Sequence, residues 1–560
     1  MVYIPHFVIS LLSASPISWL EGALLPLINS GAVPSPPLPG QVHVQVNVTK
    51  SIAIVGSGSG GLAILKTLLD LPEDVRSTWR IVLFEQRRDV GGVWLPDLNT
   101  PHPPTLPETP LYPRLRTNTP HPTMTYPGSP FPPNTPLFPS WEFVHQYHVD
   151  YAKTFDLYPY IRLNHTVVAA GWHGNRVSGK WEVEVARTDK PSHETEHDFF
   201  DHLIVANGHN HYPRVPHWDG EEGWLANTPP GTPKREIHHS IFYRKPEYYV
   251  NRTVVVAGAG ASGRDAVLQV GPLATVYHSL QEGSTPPDGA KATPKPPISH
   301  FTNDSVVFVD GSSLSSVDSI LLATGYQFLV PFLSRIPSKS GLRAPTLIVD
   351  PHTQLNSTSA QTLTTNSRYI FPIYEDVFSL SAQYPSTALA FVGLPVIIAN
   401  CPSDRAQALF ISHAIADPSI LPSRTEGLDA LVRREENRRQ RGFDPYYTGH
   451  KMVGGDTEGQ DYQDALVQRL KERGKLPNDG KKYVEDWRRS TRRDSGTLSR
   501  AWSRVEKLGT QAEWLKGVET EEQWADLMER LRLWQAEWEA QHGESVDAYS
   551  SVTDWSDFTW

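Results

Sequence analysis

Two glycine-rich segments hold the residues whose spacing points most directly to chemistry. The first reads Gly56-Ser57-Gly58-Ser59-Gly60-Gly61, the second Gly258-Ala259-Gly260-Ala261-Ser262-Gly263. Each follows a short apolar run, residues 51–55 and 253–257, and each opens into a helix-like stretch, residues 62–69 and 265–270. In a strand–turn–helix setting the first glycine permits a tight turn and the second lets a pyrophosphate approach the backbone. The third lets helix pack on strand. The helix N-terminus then presents free N–H groups and a partial positive charge to the phosphates. Two such sites on one chain imply two dinucleotides, and two dinucleotides imply electron transfer between them.

The elements that must position these turns follow from apolar patterning. The run 79–84 predicts a second strand that ends at Glu85, a carboxylate placed to accept both hydroxyls of an adenosine ribose. Proline-rich sequence from Pro96 to Pro139 predicts irregular loop. A helical pattern covers 141–155, and strand patterns cover 166–170, 181–186 and 202–206. The second unit closes with an apolar strand over 318–326. Alternating strands and helices predict an α/β fold with parallel sheets: two Rossmann-like dinucleotide-binding domains, the second inserted in the first, plus a C-terminal helical extension. The expected divisions are a leader and Pro-rich linker (1–45), the first part of the first dinucleotide-binding domain (46–212), the second dinucleotide-binding domain (213–325), the return segment of the first domain (326–425) and a Trp-rich charged helical extension (426–560).

Composition removes several function classes. At 560 residues the chain exceeds a single core. A net charge of −10 offers no basic excess for nucleic acid. Its single cysteine, Cys401, excludes an intramolecular disulfide, a Cys-x-x-Cys redox pair and a thiolate metal cage. No metal site is expected. The apolar leader is interrupted by Pro16, Glu21 and Pro26 and has no basic start, so a cytoplasmic protein is expected, with a secretory or membrane-associated leader as the alternative. In the tail, Thr520-Glu-Glu-Gln523 spells a capping box, and Trp524, Leu527, Met528, Leu531, Trp534 and Trp538 share one helical face. That stripe reads as core or packing surface, with a homodimer or membrane-surface contact as the alternative.

Several further segments, taken in order, resemble the flavin-containing monooxygenases, class B flavoproteins that use FAD and NADPH. The first glycine turn and Glu85 are followed by Gly91-Gly92-Val93-Trp94, similar to that family's Gly-Gly-x-Trp segment. Arg116-Thr117-Asn118-Thr119-Pro120 is similar to its Thr-Asn-x-Pro stretch, and Ala206-Asn207-Gly208 to its Ala-Asn-Gly strand end. The second turn runs into Ser262-Gly263-Arg264-Asp265, and Ala323-Thr324-Gly325-Tyr326 is similar to the strand that returns to the FAD domain. The resemblance covers about residues 50–422.

The resemblance implies that FAD is held by Gly56, Ser57, Gly58, Gly60, Gly61, Glu85, Gly92, Trp94, Thr117 and Asn118, with Thr324 and Gly325 beside it. NADPH would be held by Gly258, Gly260, Ser262 and Gly263. It implies hydride transfer from NADPH to FAD, addition of dioxygen at the flavin C4a as a hydroperoxide, and oxygen transfer to a small organic molecule. Asn118, whose amide both donates and accepts, is the implied catalytic residue. N- or S-oxygenation, possible in a tailoring step of specialised metabolism, is expected. A peroxide-releasing NAD(P)H oxidase or reductase, a Baeyer–Villiger oxygenase and a degenerate flavoprotein acting as a binding protein are the alternatives.

Two departures stand against the family pattern. Pro233 and Arg235 replace the Phe and Gly of its linking signature, although His239 and Tyr243 keep the end of it. After the strand 275–279 the chain reads Leu280-Gln281-Glu282, where the family often has an arginine for the NADPH 2′-phosphate. Glu282 would suit the free ribose of NADH, while Lys291 and Lys295 could reach in for NADPH.

Overall fold

The computed structural model describes residues 48–99, 102–190, 194–352 and 361–542. The leader expectation therefore lies outside the described residues. The larger sheet has seven strands in the order Ile373–Tyr374, Phe378–Ser379, Leu389–Phe391, His202–Val205, Lys50–Val55, Trp79–Phe84, Ile161–Arg162. Its centre is parallel, with Ile52 opposite both Ile81 and His202. Ile52, Ala53, Ile54 and Val55 are all buried, because core lies on both faces: Ile52 and Ile54 pack with Leu62 and Leu65, Ala53 and Val55 with Phe84 and Phe391. This double burial explains a continuous apolar run instead of alternation.

The smaller sheet has five strands, all parallel, in the order Thr293–Lys295, Thr275–Ser279, Thr253–Ala257, Ser319–Leu322, Glu236–His239. Its chain interrupts the larger sheet, which is left after Val205 and rejoined at Ile373. The outgoing and returning passages pair side by side. Pro213 bridges Tyr326 antiparallel, Arg214 N–H donates to the Gly325 carbonyl at 2.9 Å, and Gln327 N–H to the Tyr212 carbonyl at 2.8 Å. An antiparallel three-stranded sheet, His165–His173, Lys180–Arg187 and Glu196–Phe200, covers one face of the larger sheet.

The helices after residue 425 are not one appended body. Leu428, Leu431, Leu466 and Leu470 belong to the main core, whereas Leu498, Trp502, Trp524, Leu527 and Leu531 form a separate core with Leu137 and Phe138 of the proline-rich loop. The capping box forms: Gln523 N–H donates to Thr520 Oγ1 at 3.3 Å, and Thr520 N–H to Gln523 Oε1 at 3.0 Å. On the last helix the buried stripe Trp524, Leu527, Met528, Leu531 continues through Gln535 and Glu539, while Trp534 and Trp538 are only half-buried. Arg500 donates to Glu539 at 2.6 Å, which accounts for a carboxylate in that position.

Candidate active site

The first glycine turn is held by steric necessity. Gly56 has φ +102°, and a Cβ there would fall 2.5 Å from the Ala206 carbonyl oxygen. A Cβ on Gly61 would fall 1.8 Å from the Gly56 oxygen, so no other residue lets the helix Ser59–Leu69 turn back so closely. Gly58 faces Gly92, whose own φ is +55°. Glu85 closes the turn from below: Ser57 donates to its Oε2 from the backbone N–H at 2.7 Å and from Oγ at 2.8 Å, and Arg87 N–H donates to Oε1 at 2.8 Å. A carboxylate has about four lone-pair positions, so acceptor capacity remains for a ribose. Sequence reasoning assigned Glu85 to the ribose alone; the structure gives it the further task of fixing Ser57.

Arg87 was not singled out from sequence. Its buried guanidinium donates to the Gly92 carbonyl at 2.9 Å, to Pro96 at 3.0 Å and to Glu108 at 3.1 Å, fixing the Gly92–Trp94 turn against the loop. Burial lowers its pKa, opposed by Glu108 and Asp97. A local signal existed in the basic pair that follows the strand-end acid.

The second turn repeats the geometry. Gly258 has φ +128°, with a Cβ position 2.3 Å from the Ala323 oxygen, and the Cβ of Gly263 would meet the Gly258 oxygen at 1.9 Å. Around Gly260 a Cβ would meet nothing, so the space above the turn is open. Ser262 sits half-buried in the first turn of the helix Ala261–Val270. No carboxylate plays the part of Glu85 here. Instead His278, fully buried on the neighbouring strand, donates from Nε2 to the Gly258 carbonyl at 2.9 Å. Burial lowers its pKa and favours the neutral ring, while the bond to the Gly258 carbonyl opposes that. Glu282 is exposed beyond that strand. Lys295 is committed to Ser312 Oγ at 3.2 Å and lies over the Phe308 ring, while the Lys291 backbone lies against Gly271 at the far end of the helix. The Lys291 side chain is exposed.

Asp97 and residues 109–118 bring the two turns together. The Tyr112 hydroxyl donates to Asp265 of the second-turn helix, and the Tyr112 ring meets Tyr243 edge-on at 5.2 Å. Burial raises the Asp265 carboxyl pKa, and the Tyr112 bond opposes that. Arg244 reaches back to Asp97 at 2.9 Å and to the Thr109 carbonyl at 3.0 Å. Beyond Tyr112 the chain is pinned by Thr117 N–H to the Pro139 carbonyl and His121 N–H to the Leu137 carbonyl, each at 2.9 Å. Thr117 is buried. Asn118, one residue on, is exposed.

Thr324, Gly325 and His239 lie where the chain passes between sheets. Thr324 Oγ1 donates to the Arg214 carbonyl, and the Gly325 carbonyl accepts from Arg214 N–H and from His239 Nε2 at 3.0 Å. His239 Nδ1 accepts from Ile241 N–H at 3.1 Å, so the ring is a neutral tautomer, and burial pushes its pKa down to about 4. Arg235 is 3% exposed and donates to the carbonyls of Trp224, Asn303 and Asp304 while stacking on Trp224. The departure from the family's glycine is thus a buried anchor. Among the described residues no His, Cys, Asp and Glu cluster could hold a metal ion.

These residues fit two dinucleotides. Both helices that leave the turns lack a side-chain N-cap bond and carry no acid in the first turn, so their leading N–H groups are left for an anion. A discontinuous parallel sheet with an inserted second one, each bearing such a turn, defines a two-domain flavin monooxygenase architecture. The sequence profile described as FMO-like, Flavin-binding monooxygenase-like, matches residues 49–285 and 289–341, and the chain belongs to that family. It is 28% identical over 405 residues to flavin-containing monooxygenase FMO GS-OX-like 8 of Arabidopsis thaliana, covering 68% of this chain and 78% of that one. It is 26% identical to senecionine N-oxygenase of Tyria jacobaeae, covering 62% and 68% of the two chains. The solved structure of S-allyl-L-cysteine S-oxygenase from Allium sativum matches with a TM-score of 0.62 at 25% identity, over 87% of this chain and 99% of that one. The protein is an oxidoreductase, a flavin-dependent monooxygenase acting with oxygen on a small molecule. Among the described residues no helix is long and apolar enough to cross a membrane.

Proposed function

We propose that this monooxygenase binds FAD at the first turn, takes electrons from NADPH at the second, and oxygenates nitrogen or sulfur in a small organic substrate. In balance, substrate, NADPH, a proton and dioxygen give the oxygenated substrate, NADP+ and water. The observation that carries the reading is the pair of uncapped glycine turns linked through Tyr112–Asp265 and Arg244–Asp97. The printed activities of the relatives, N-oxygenation and S-oxygenation, support the substrate class.

Bound FAD would supply hydride acceptance and activation of dioxygen. The chain supplies the rest. Gly56, Gly58, Gly60 and Gly61 admit the pyrophosphate, Glu85 takes the ribose, and Gly92, Trp94 and Thr117 border the same site. Gly258, Gly260, Ser262 and Gly263 hold the reductant, and Thr324 and Gly325 close the site from the returning strand. NADPH is assigned on the family resemblance, with NADH admitted through Glu282. The Asn118 amide donates to an oxygen and accepts from an N–H, which orients the reacting groups.

The test is direct. Purified protein is yellow or becomes so with FAD, and NADPH bleaches it without oxygen faster than NADH does. Mass spectrometry over amines, thioethers and ketones then shows a gain of one oxygen. A colourless protein that FAD cannot reconstitute sinks the proposal, and peroxide as the sole product in every case identifies an oxidase instead. Asn118→Ala is expected to divert NADPH consumption from product to peroxide.

A further inference from the structure

We propose that Arg488, in the helical extension, is a positioning residue for oxygen transfer: it holds segment 116–125 in the arrangement that presents Asn118. The inference rests on the reading of Asn118 given above. The segment contains Pro120 and Pro122, which bring no N–H of their own, so fewer backbone bonds are available to order it. Arg488 orders it from the helix Asp486–Arg493. Its side chain is 4% exposed; Nη1 donates to the Pro122 carbonyl at 2.6 Å, and Nη2 to Thr125 Oγ1 at 3.2 Å. Glu485 at 2.9 Å and Glu521 at 3.1 Å neutralise it and fix its fork. Thr125 Oγ1 donates onward to the same Pro122 carbonyl, so both Arg488 contacts act on one turn.

Two more contacts from the last helices grip this segment. Trp524 meets the His121 ring edge-on at 4.4 Å, with Phe131 at 4.8 Å, and Arg116 pairs with Glu506 at 2.6 Å. The His121 ring is fully enclosed between these two aromatic rings. Between these grips, Asn118 is exposed. The extension therefore acts on the site through Arg488, and a lysine, a single point charge, cannot reproduce its fork.

The experiment compares wild type, Arg488→Ala, Arg488→Lys, Asn118→Ala and the Arg488→Ala/Asn118→Ala double variant as full chains loaded with FAD. Arg500→Gln, which breaks the Arg500–Glu539 pair in the same extension without touching 116–125, is the control. With methyl p-tolyl sulfide as probe, Arg488→Ala keeps FAD and NADPH-driven flavin reduction, while product per NADPH falls about threefold and peroxide rises to match. Arg488→Lys lies between, and replaces the alanine variant if that does not accumulate. The double variant is no worse than Asn118→Ala, because both changes remove one function. Independently of turnover, hydrogen exchange at the amides of Thr117 and His121 speeds about tenfold in Arg488→Ala and not in Arg500→Gln. Wild-type coupling and exchange in Arg488→Ala, beside an uncoupled Asn118→Ala, overturns this inference alone; a further loss in the double variant also overturns it. A coupled Asn118→Ala overturns the reading of Asn118, and with it this inference.

Discussion

The His239 imidazole and the Gly325 carbonyl are joined by a 3.0 Å hydrogen bond that ties the two passages of chain between the sheets. His239 ends the edge strand Glu236–His239, and Gly325 begins the return. The passages start beside the two glycine turns, at Ala206 against Gly56 and at Ala323 against Gly258, so the separation of the turns depends on how firmly the passages are held. His239→Ala removes this donor and the acceptor for Ile241 N–H, at a cost of about 1–3 kcal/mol for the buried groups left unpaired. FAD content is expected to stay unchanged while NADPH-driven flavin bleaching slows severalfold in stopped flow. An unaltered bleaching rate would show that the tie does not set the approach of the two sites.

Glu85 serves three protein donors, and Glu85→Gln leaves one amide oxygen to do so. The new NH2 group must face either Ser57 or Arg87 N–H, donor against donor. Charge-assisted bonds of this kind contribute about 1.5–3 kcal/mol each, so FAD affinity is expected to fall roughly ten- to a hundredfold. Fluorescence titration of apoprotein with FAD measures it. Wild-type affinity would remove Glu85 from the flavin site.

Both phosphate turns were legible because glycine there is a steric requirement: Gly56, Gly61, Gly258 and Gly263 each stand where a Cβ would collide with backbone. The buried strands were legible because double burial imposes an unbroken apolar run. The anchors were not. Arg87, Arg235, His278 and Arg488 satisfy carbonyls brought near by tertiary packing, and a lone basic residue carries no sign of which carbonyl it will meet. The stripe of the last helix was legible as a packing surface, with Trp534 against the core and Arg504 over Trp534 and Trp538, but its polar continuation through Gln535 and Glu539 was not, because it depends on Arg500.

The second site predicts its own repair. With Lys295 held by Ser312 and Lys291 at the far end of the helix, a 2′-phosphate would meet Glu282 on the turn after the strand Thr275–Ser279. Glu282→Arg exchanges a repelling charge for a bidentate phosphate partner, a change of about 1–2 kcal/mol at an exposed position. KM for NADPH is expected to drop about tenfold, with KM for NADH flat or raised. Equal effects on both donors would place the ribose elsewhere.

Asp404 makes the fold sensitive to pH. It lies on the helix Asn400–Ala416, is 3% exposed, and takes a hydrogen bond from Ser59, the first residue of the first-turn helix. Burial pushes its carboxyl from 3.8 up to about 7, against the pull of that bond. A folded-state pKa above the unfolded one means that the neutral acid suits the fold. Its contribution is intact below pH 3.8, erodes as pH rises, and is lost once pH passes about 7. The ionised carboxylate then costs the folded chain on the order of 4 kcal/mol. A pyrophosphate at the N-terminus of the same first-turn helix adds a like charge and works in the same direction. Asp404→Asn cannot ionise, so its melting temperature at fixed FAD concentration is expected to match wild type near pH 4 and to exceed it increasingly up to pH 8. A gap that does not change with pH would mean that Asp404 stays ionised in the folded chain, and that the space beneath the first turn is more polar than its packing indicates.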